Sequence, residues 1–114
     1  MVKVVISEAL KNEILKKFKA ESKIIFRQMY SLEQNPHKGK LIGSVGGIVI
    51  KELKYKSFRF YFITDGHKLK IMDKIHLVDL LIRFVRMSDK KDQQETINEI
   101  KKILAAFGQQ GFHA

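Results

Sequence analysis

The sequence predicts a single α+β domain with the element order β-α-α-β-β-β-α. Three observations carry this expectation. Strand-like apolar runs recur at 2–6, 48–55, 58–64 and 80–85, and apolar stripes at helical spacing stand before and after them. The chain has 114 residues, 45% of them hydrophobic, which suffices for one core and not for two. Residues 1–108 are expected to form the domain and 109–114 a frayed tail.

Val2, Val4 and Ile6 alternate against Lys3, so the N-terminal run reads as a strand. Ser7 is placed to cap a helix, with Glu8 in the first turn, where a carboxylate suits the dipole. Leu10, Ile14 and Phe18, spaced four apart, give the buried stripe of that helix. A second helix is expected from Ser22, with Ile25, Met29 and Leu32 on one face. It must stop near Asn35, because Pro36 disfavours helical geometry in the residue before it. So few residues separate the two that they are expected to form a helical hairpin.

Gly39, Gly43, Gly46 and Gly47 read as turn residues of a loop. They are no phosphate cradle, because the Gly-Lys-Ser/Thr of a Walker loop is missing and a strand follows. Ile48 to Tyr55 and Phe58 to Thr64 read as strands. A turn at Asp65-Gly66 then leads to β-type sequence through Leu69 and Ile71, and Leu80 to Val85 reads as a buried strand. The last helix carries Ile97, Ile100, Leu104 and Phe107, with Asp92 and Glu95 as a capping box and Gly108 as its stop.

Several function classes drop out. There is no cysteine, so disulfides, thiolate metal sites and thiol nucleophiles are excluded. No apolar stretch approaches the roughly 20 residues of a membrane span. Residues 1–6 have no long apolar core or cleavage site, so no secretory leader is expected, and the location expected is cytoplasmic. His37, His67, His76 and His113 are scattered without metal-binding spacing, and no metal or cofactor is expected.

Charge points the other way. Lys+Arg number 22 against 12 Asp+Glu, a net charge of +10 that attracts polyanions. Between residues 37 and 60, Lys38, Lys40, Lys51, Lys54, Lys56 and Arg59 face the lone acid Glu52. Strand alternation should put Glu52, Lys54 and Lys56 on one face. Arg59 follows among Phe60, Tyr61 and Phe62, and Arg83, Arg86, Lys90 and Lys91 come later. Basic groups interleaved with aromatics on strands suit a phosphate-bearing ligand, and Arg adds bidentate geometry that Lys lacks.

In order, Asn35-Pro36, Gly39-Lys40-Leu41-Ile42-Gly43, Glu52-Leu53-Lys54 and Phe58-Arg59-Phe60-Tyr61-Phe62 resemble the RelE/ParE toxin superfamily of prokaryotic toxin–antitoxin systems. Phe84 to Lys91, ending in Lys90-Lys91 before a helix, looks most like its HigB-like branch. The resemblance covers nearly the whole chain. It implies a helical hairpin packed on a curved antiparallel sheet whose basic concave face receives RNA, closed by a C-terminal helix.

The function so implied is a type II toxin, a ribosome-dependent mRNA endoribonuclease, held in check by an acidic cognate antitoxin. A ribose 2′-hydroxyl would attack the adjacent phosphate. Arg59 would hold that phosphate, Lys54 would stabilise the transition state, and Lys90 matches a basic active-site position. Lys38, Lys40, Lys51, Lys56, Arg83, Arg86 and Lys91 would bind the RNA. Where many members carry Tyr or His near the start of the last helix, this chain has Thr96, which leaves Glu52 as the nearest base. About ten residues between Leu69 and Leu80 exceed a usual hairpin loop and are expected to lengthen that hairpin. The rival reading keeps the fold without catalysis, as a gyrase inhibitor or an inactive relative binding RNA or antitoxin.

Overall fold

The computed structural model describes residues 1–74 and 78–113, with side chains as far as Ala106. The elements are β1 (Val2–Ile6), α1 (Glu8–Phe18), α2 (Ser22–Tyr30), β2 (Lys40–Val45), β3 (Ile48–Tyr55), β4 (Phe58–Asp65), α3 (Gly66–Ile71), β5 (Leu80–Asp89) and α4 (Gln93–His113). Short 3-10 turns at Lys19–Glu21 and Ser31–Glu33 follow α1 and α2. The fold is α+β, on a five-stranded sheet in the order β1-β5-β4-β3-β2.

The sheet is mixed, which corrects the expected antiparallel one. β1 runs parallel to β5, while the remaining pairs are antiparallel. Crossing from β1 through both helices and back leaves β1 on the far edge, beside the last strand. Its outer side is partly closed, since the Val4 amide donates to Glu33 Oε2 at 3.0 Å; a satisfied edge amide is a poorer template for another strand.

Local chemistry explains the starts of the elements. Ser7 caps α1 by accepting from the Leu10 amide. Asp65 caps α3, its carboxylate accepting from the amides of His67 and Lys68 at 3.0 Å each. That cap turns the expected β-type segment through Leu69 and Ile71 into a helix, because an N-cap carboxylate satisfies the first orphan amides. The stretch expected to lengthen a hairpin therefore holds α3. The expected glycine loop is also corrected. Residues 40–45 form the edge strand β2, with Gly43 at an irregularity in its pairing with β3, and only Gly46-Gly47 make the turn.

The later elements run longer than expected. β5 continues from Val85 to Asp89 through a bulge, where Tyr61 faces Arg86 and Phe62 faces Phe84. Helix α4 passes through Gly108 to His113 instead of stopping at Gly108. At its start the Asp92 carbonyl accepts from the Thr96 amide and hydroxyl, and the Asp92 amide donates to Asp89 Oδ1. His76 and the side chains of Phe107 and His113 lie outside the described residues.

Two cores sandwich the sheet. On one face Leu10, Ile14, Ile25, Met29 and Leu32 from the N-terminal helices pack on Phe60, Phe62, Ile82 and Phe84. On the other, Ile97, Ile100 and Leu104 of α4 pack on Ile48, Ile50, Tyr61 and Ile63. The central strand β4 is covered on both sides, so its apolar residues run on without alternation. No helix among the described residues is long and apolar enough to cross a membrane.

Gly39 holds a φ of +103°, and a Cβ there would stand 2.8 Å from Phe62 Cζ and 3.1 Å from the Glu52 carbonyl oxygen. Gly39→Ala is expected to lose about 1–3 kcal/mol of unfolding free energy from backbone strain, on top of the displaced Phe62 ring. Gly46, at φ +58° with nothing within 4 Å, is the control. Its alanine variant should lose about 1 kcal/mol. Urea unfolding midpoints check the order, and equal losses would contradict this packing at Gly39.

Candidate functional site

Strand register assembles the site. On the face shared with α4, Lys54 stands opposite Arg59, and Arg59 opposite Ser88. In the next row Lys40, Glu52, Tyr61 and Arg86 line up across four strands. β2 begins only at Lys40, so the rest of β3 lies beyond its edge, and a cleft of about 490 Å³ opens there. Lys38, Lys40, Lys54 and Arg59 line it around Glu52, and Gln28 joins them from α2.

The cations differ in how free they are. Lys38, Lys40 and Lys54 are exposed. Arg59 is not: its side chain keeps 11% of its surface, with Nε 3.7 Å from Glu52 Oε2 and Nη1 donating to the Ser57 carbonyl at 3.3 Å. Glu52 is buried too, and its Oε2 accepts no hydrogen bond from the described residues. A buried carboxylate oxygen with a charge nearby and no donor is an unfilled acceptor, and such atoms are rare in folded proteins.

Beside this pair the register supplies one that the sequence did not reveal. Tyr61, fully buried, shares a 2.8 Å hydrogen bond with Ser88 Oγ. Burial pushes the Tyr61 phenol up, and the Glu52 carboxylate adds to that while the Ser88 bond opposes it. Tyr61 is visible in the sequence only as part of an aromatic run. Its partner depends on the bulge in β5, which no spacing announces.

The other expected residues are dispersed. Lys51 points to the opposite face, is buried, and donates to the His37 carbonyl at 3.0 Å, with its ammonium 5.9 Å from the centre of the Phe62 ring. Lys56 leaves the strand face altogether. It sits in the β3–β4 turn at φ +54° and pairs with Glu21 at 2.9 Å, and the same carboxylate accepts from the Tyr55 hydroxyl at 3.1 Å. Those bonds hold the Glu21 carboxyl below its ordinary range and the Lys56 ammonium above its own. Arg86 ties β5 to α4 through Glu99 at 2.8 Å. Arg83 stands opposite Ile63, away from the cleft, its buried Nε without a hydrogen-bond partner among the described residues.

Lys90 and Lys91 are exposed between β5 and α4 and do not line the cleft. The Thr96 hydroxyl donates to the Asp92 carbonyl at 3.0 Å, so it is already engaged. Among the described residues no group of His, Asp or Glu is placed to hold a metal ion. No family model, curated protein or solved structure matches the chain.

What the arrangement offers chemically is an anion cleft with a carboxylate at its back. Exposed ammonium groups could attract a phosphate, the Arg59 guanidinium lines the cleft beside them, and Glu52 Oε2 could accept a proton or a hydroxyl hydrogen bond.

Burial lowers the pKa of Lys51 below its ordinary 10.5. Above that lowered pKa, and up to 10.5, the unfolded chain binds more protons at this site than the folded one, so stability rises with pH across the window. Relative to Lys51→Met, the parent should therefore gain stability as pH climbs towards 10.5. Urea unfolding of both chains along a pH series measures the difference, and a flat difference would contradict the burial argument.

Proposed function

We propose that this chain is a RelE/ParE-type toxin of a type II toxin–antitoxin system, acting as an mRNA endoribonuclease on the ribosome. The observation that carries the proposal is the cleft itself, where Lys54 and Arg59 stand side by side with Glu52, and Lys38 and Lys40 form the approach. The strand motifs described above support it. So does a sheet with two N-terminal helices on one face and a C-terminal helix on the other. The finer likeness, a helical hairpin on a curved sheet, belongs to the same proposal, as do a cytoplasmic location and an acidic antitoxin as partner.

In the reaction, Glu52 Oε2 takes the proton of a ribose 2′-hydroxyl, and that oxygen attacks the adjacent phosphorus. The bond to the 5′-oxygen breaks, leaving a 2′,3′-cyclic phosphate and a 5′-oxygen that takes a proton from solvent to become a hydroxyl, while Glu52 returns its proton to solvent. Arg59 and Lys54 stabilise the charge that builds on the phosphoryl oxygens. Substrate phosphate would compete with Glu52 for Arg59, freeing the carboxylate for its task. DNA lacks the nucleophile and would not be cut.

A second reading has its own observation. Arg59 rests in an ion pair with 11% of its side chain exposed, and Thr96 stands where relatives carry an acid or base. Both suit a protein that binds RNA, antitoxin or gyrase without cutting.

Transcript cleavage on ribosomes separates the two. Arg59→Ala should lower the cleavage rate by about a hundredfold or more, and Arg59→Lys should recover little of it. Binding should weaken less, and it should fall steeply with salt through counterion release. If the parent and Arg59→Ala both leave RNA intact, the nuclease reading fails and the binding reading replaces it.

A further inference from the structure

A second cavity, about 650 Å³, opens on the other face of the sheet, around the β2 edge from the cleft, and is used by nothing described so far. The chain segment 37–41 is the wall between them. Lys38, Gly39 and Lys40 line the cleft, while His37 and Leu41 line the groove. Leu41, Val49 and Leu69 make the groove apolar, and His37 and His67 add imidazoles. Lys70 and Asp73 complete its polar edge, with Asp73 Oδ1 held 3.0 Å from His37 Nε2.

Two features ask for an occupant. Leu41 is 61% exposed, a large apolar side chain left in water where a strand edge meets a cavity. The imidazoles, flat and polar at their edges, stand beside apolar side chains on a strongly basic protein. That combination suits a nucleobase. Unstacked bases are held on aromatic rings, histidine included, while hydrogen-bonding groups meet their edges. A phosphate alone would need no apolar groove, and an apolar peptide would not suit the imidazole and ammonium rim.

We propose that the groove is a base-binding subsite, taking one nucleobase of a single-stranded RNA whose backbone phosphate sits in the Lys38–Lys40–Lys54 cleft. The inference rests on the RNA reading of that cleft. The strand would pass over the 37–41 wall at the edge of β2, where no further strand among the described residues blocks it.

The probe is a short single-stranded RNA with one abasic ribose walked along its length, its binding read by fluorescence anisotropy at low salt without ribosomes. At one position the parent chain should bind the abasic oligomer about tenfold more weakly than the intact one, the loss of one stacked base. The double variant His37→Ala/His67→Ala should abolish that discrimination while keeping the salt dependence. Both residues are exposed, and the His37 carbonyl that receives Lys51 remains. Photocrosslinking from 4-thiouridine at the sensitive position should label a peptide containing His67.

RNA binding with no sensitive position, or discrimination that survives the double variant, overturns the subsite and leaves the cleft reading standing. A parent chain that binds no RNA at low salt overturns both.

Discussion

The central strand sets the terms for everything else. β4 is hydrogen-bonded on both sides and buried on both faces, so a charged residue within it must be accommodated by its neighbours. Arg59 is one such residue, and Glu52 is its accommodation, as the amides at the start of α3 are for Asp65 at the strand's end. A guanidinium is more weakly hydrated than an ammonium, which makes Arg the cation best tolerated at such a depth. The pair is loose at 3.7 Å and leaves a carboxylate oxygen without a donor among the described residues. A well-satisfied structural ion pair would close both gaps, since desolvation is offset only by good geometry.

Position follows from the helix that covers the face. α4 starts beside the end of β5 and crosses towards β2, where a Cβ on Gly43 would lie 3.1 Å from Lys101 Cε. Its apolar stripe covers Ile48, Ile50 and Ile63. Lys40 and Lys54 are left to solvent beside the buried Arg59, and at that corner the sheet changes from apolar to cationic. Glu21 braces the adjoining turn by holding Tyr55 and Lys56 together. Residues that bind RNA in one reading of the sequence thus become, like Lys56 and Arg86, fasteners between elements.

Legibility followed periodicity. Ser7, Leu10, Ile14, Ile25, Met29 and Leu32 announce the two N-terminal helices, and the structure places them accordingly. Strand parity, a period of two, puts Glu52 and Lys54 on one face, and its extension to Lys56 fails because β3 ends at Tyr55. Lys51 could have been set apart on the same ground, for it differs by one residue and so faces the opposite core. Other features had no periodic signature. β2 hides among glycines, because Gly43 sits at a pairing irregularity beneath Lys101. α3 hides because a single carboxylate, Asp65, decides between turn and helix. The Tyr61–Ser88 bond and the place of Arg86 both depend on a bulge, which shifts a strand's facing by one residue.

The strongest sign that the corner serves a ligand is a local disagreement with the fold. Lys54 and Arg59 stand directly opposite on paired strands, an arrangement in which like charges repel and destabilise the sheet. Lys40 adds a third cation in the neighbouring row, and the chain already carries a net charge of +10. Glu52 offsets part of this but belongs to Arg59, and Lys54 remains exposed beside it. Nothing in the packing requires Lys54 to be basic, since its side chain supports neither core. A sequence that sets its local choices against its own sheet does so most often where function asks for it. A polyanion entering the cleft would turn the repulsion between Lys54 and Arg59 into shared attraction, and would offer Glu52 the donor that the folded chain withholds.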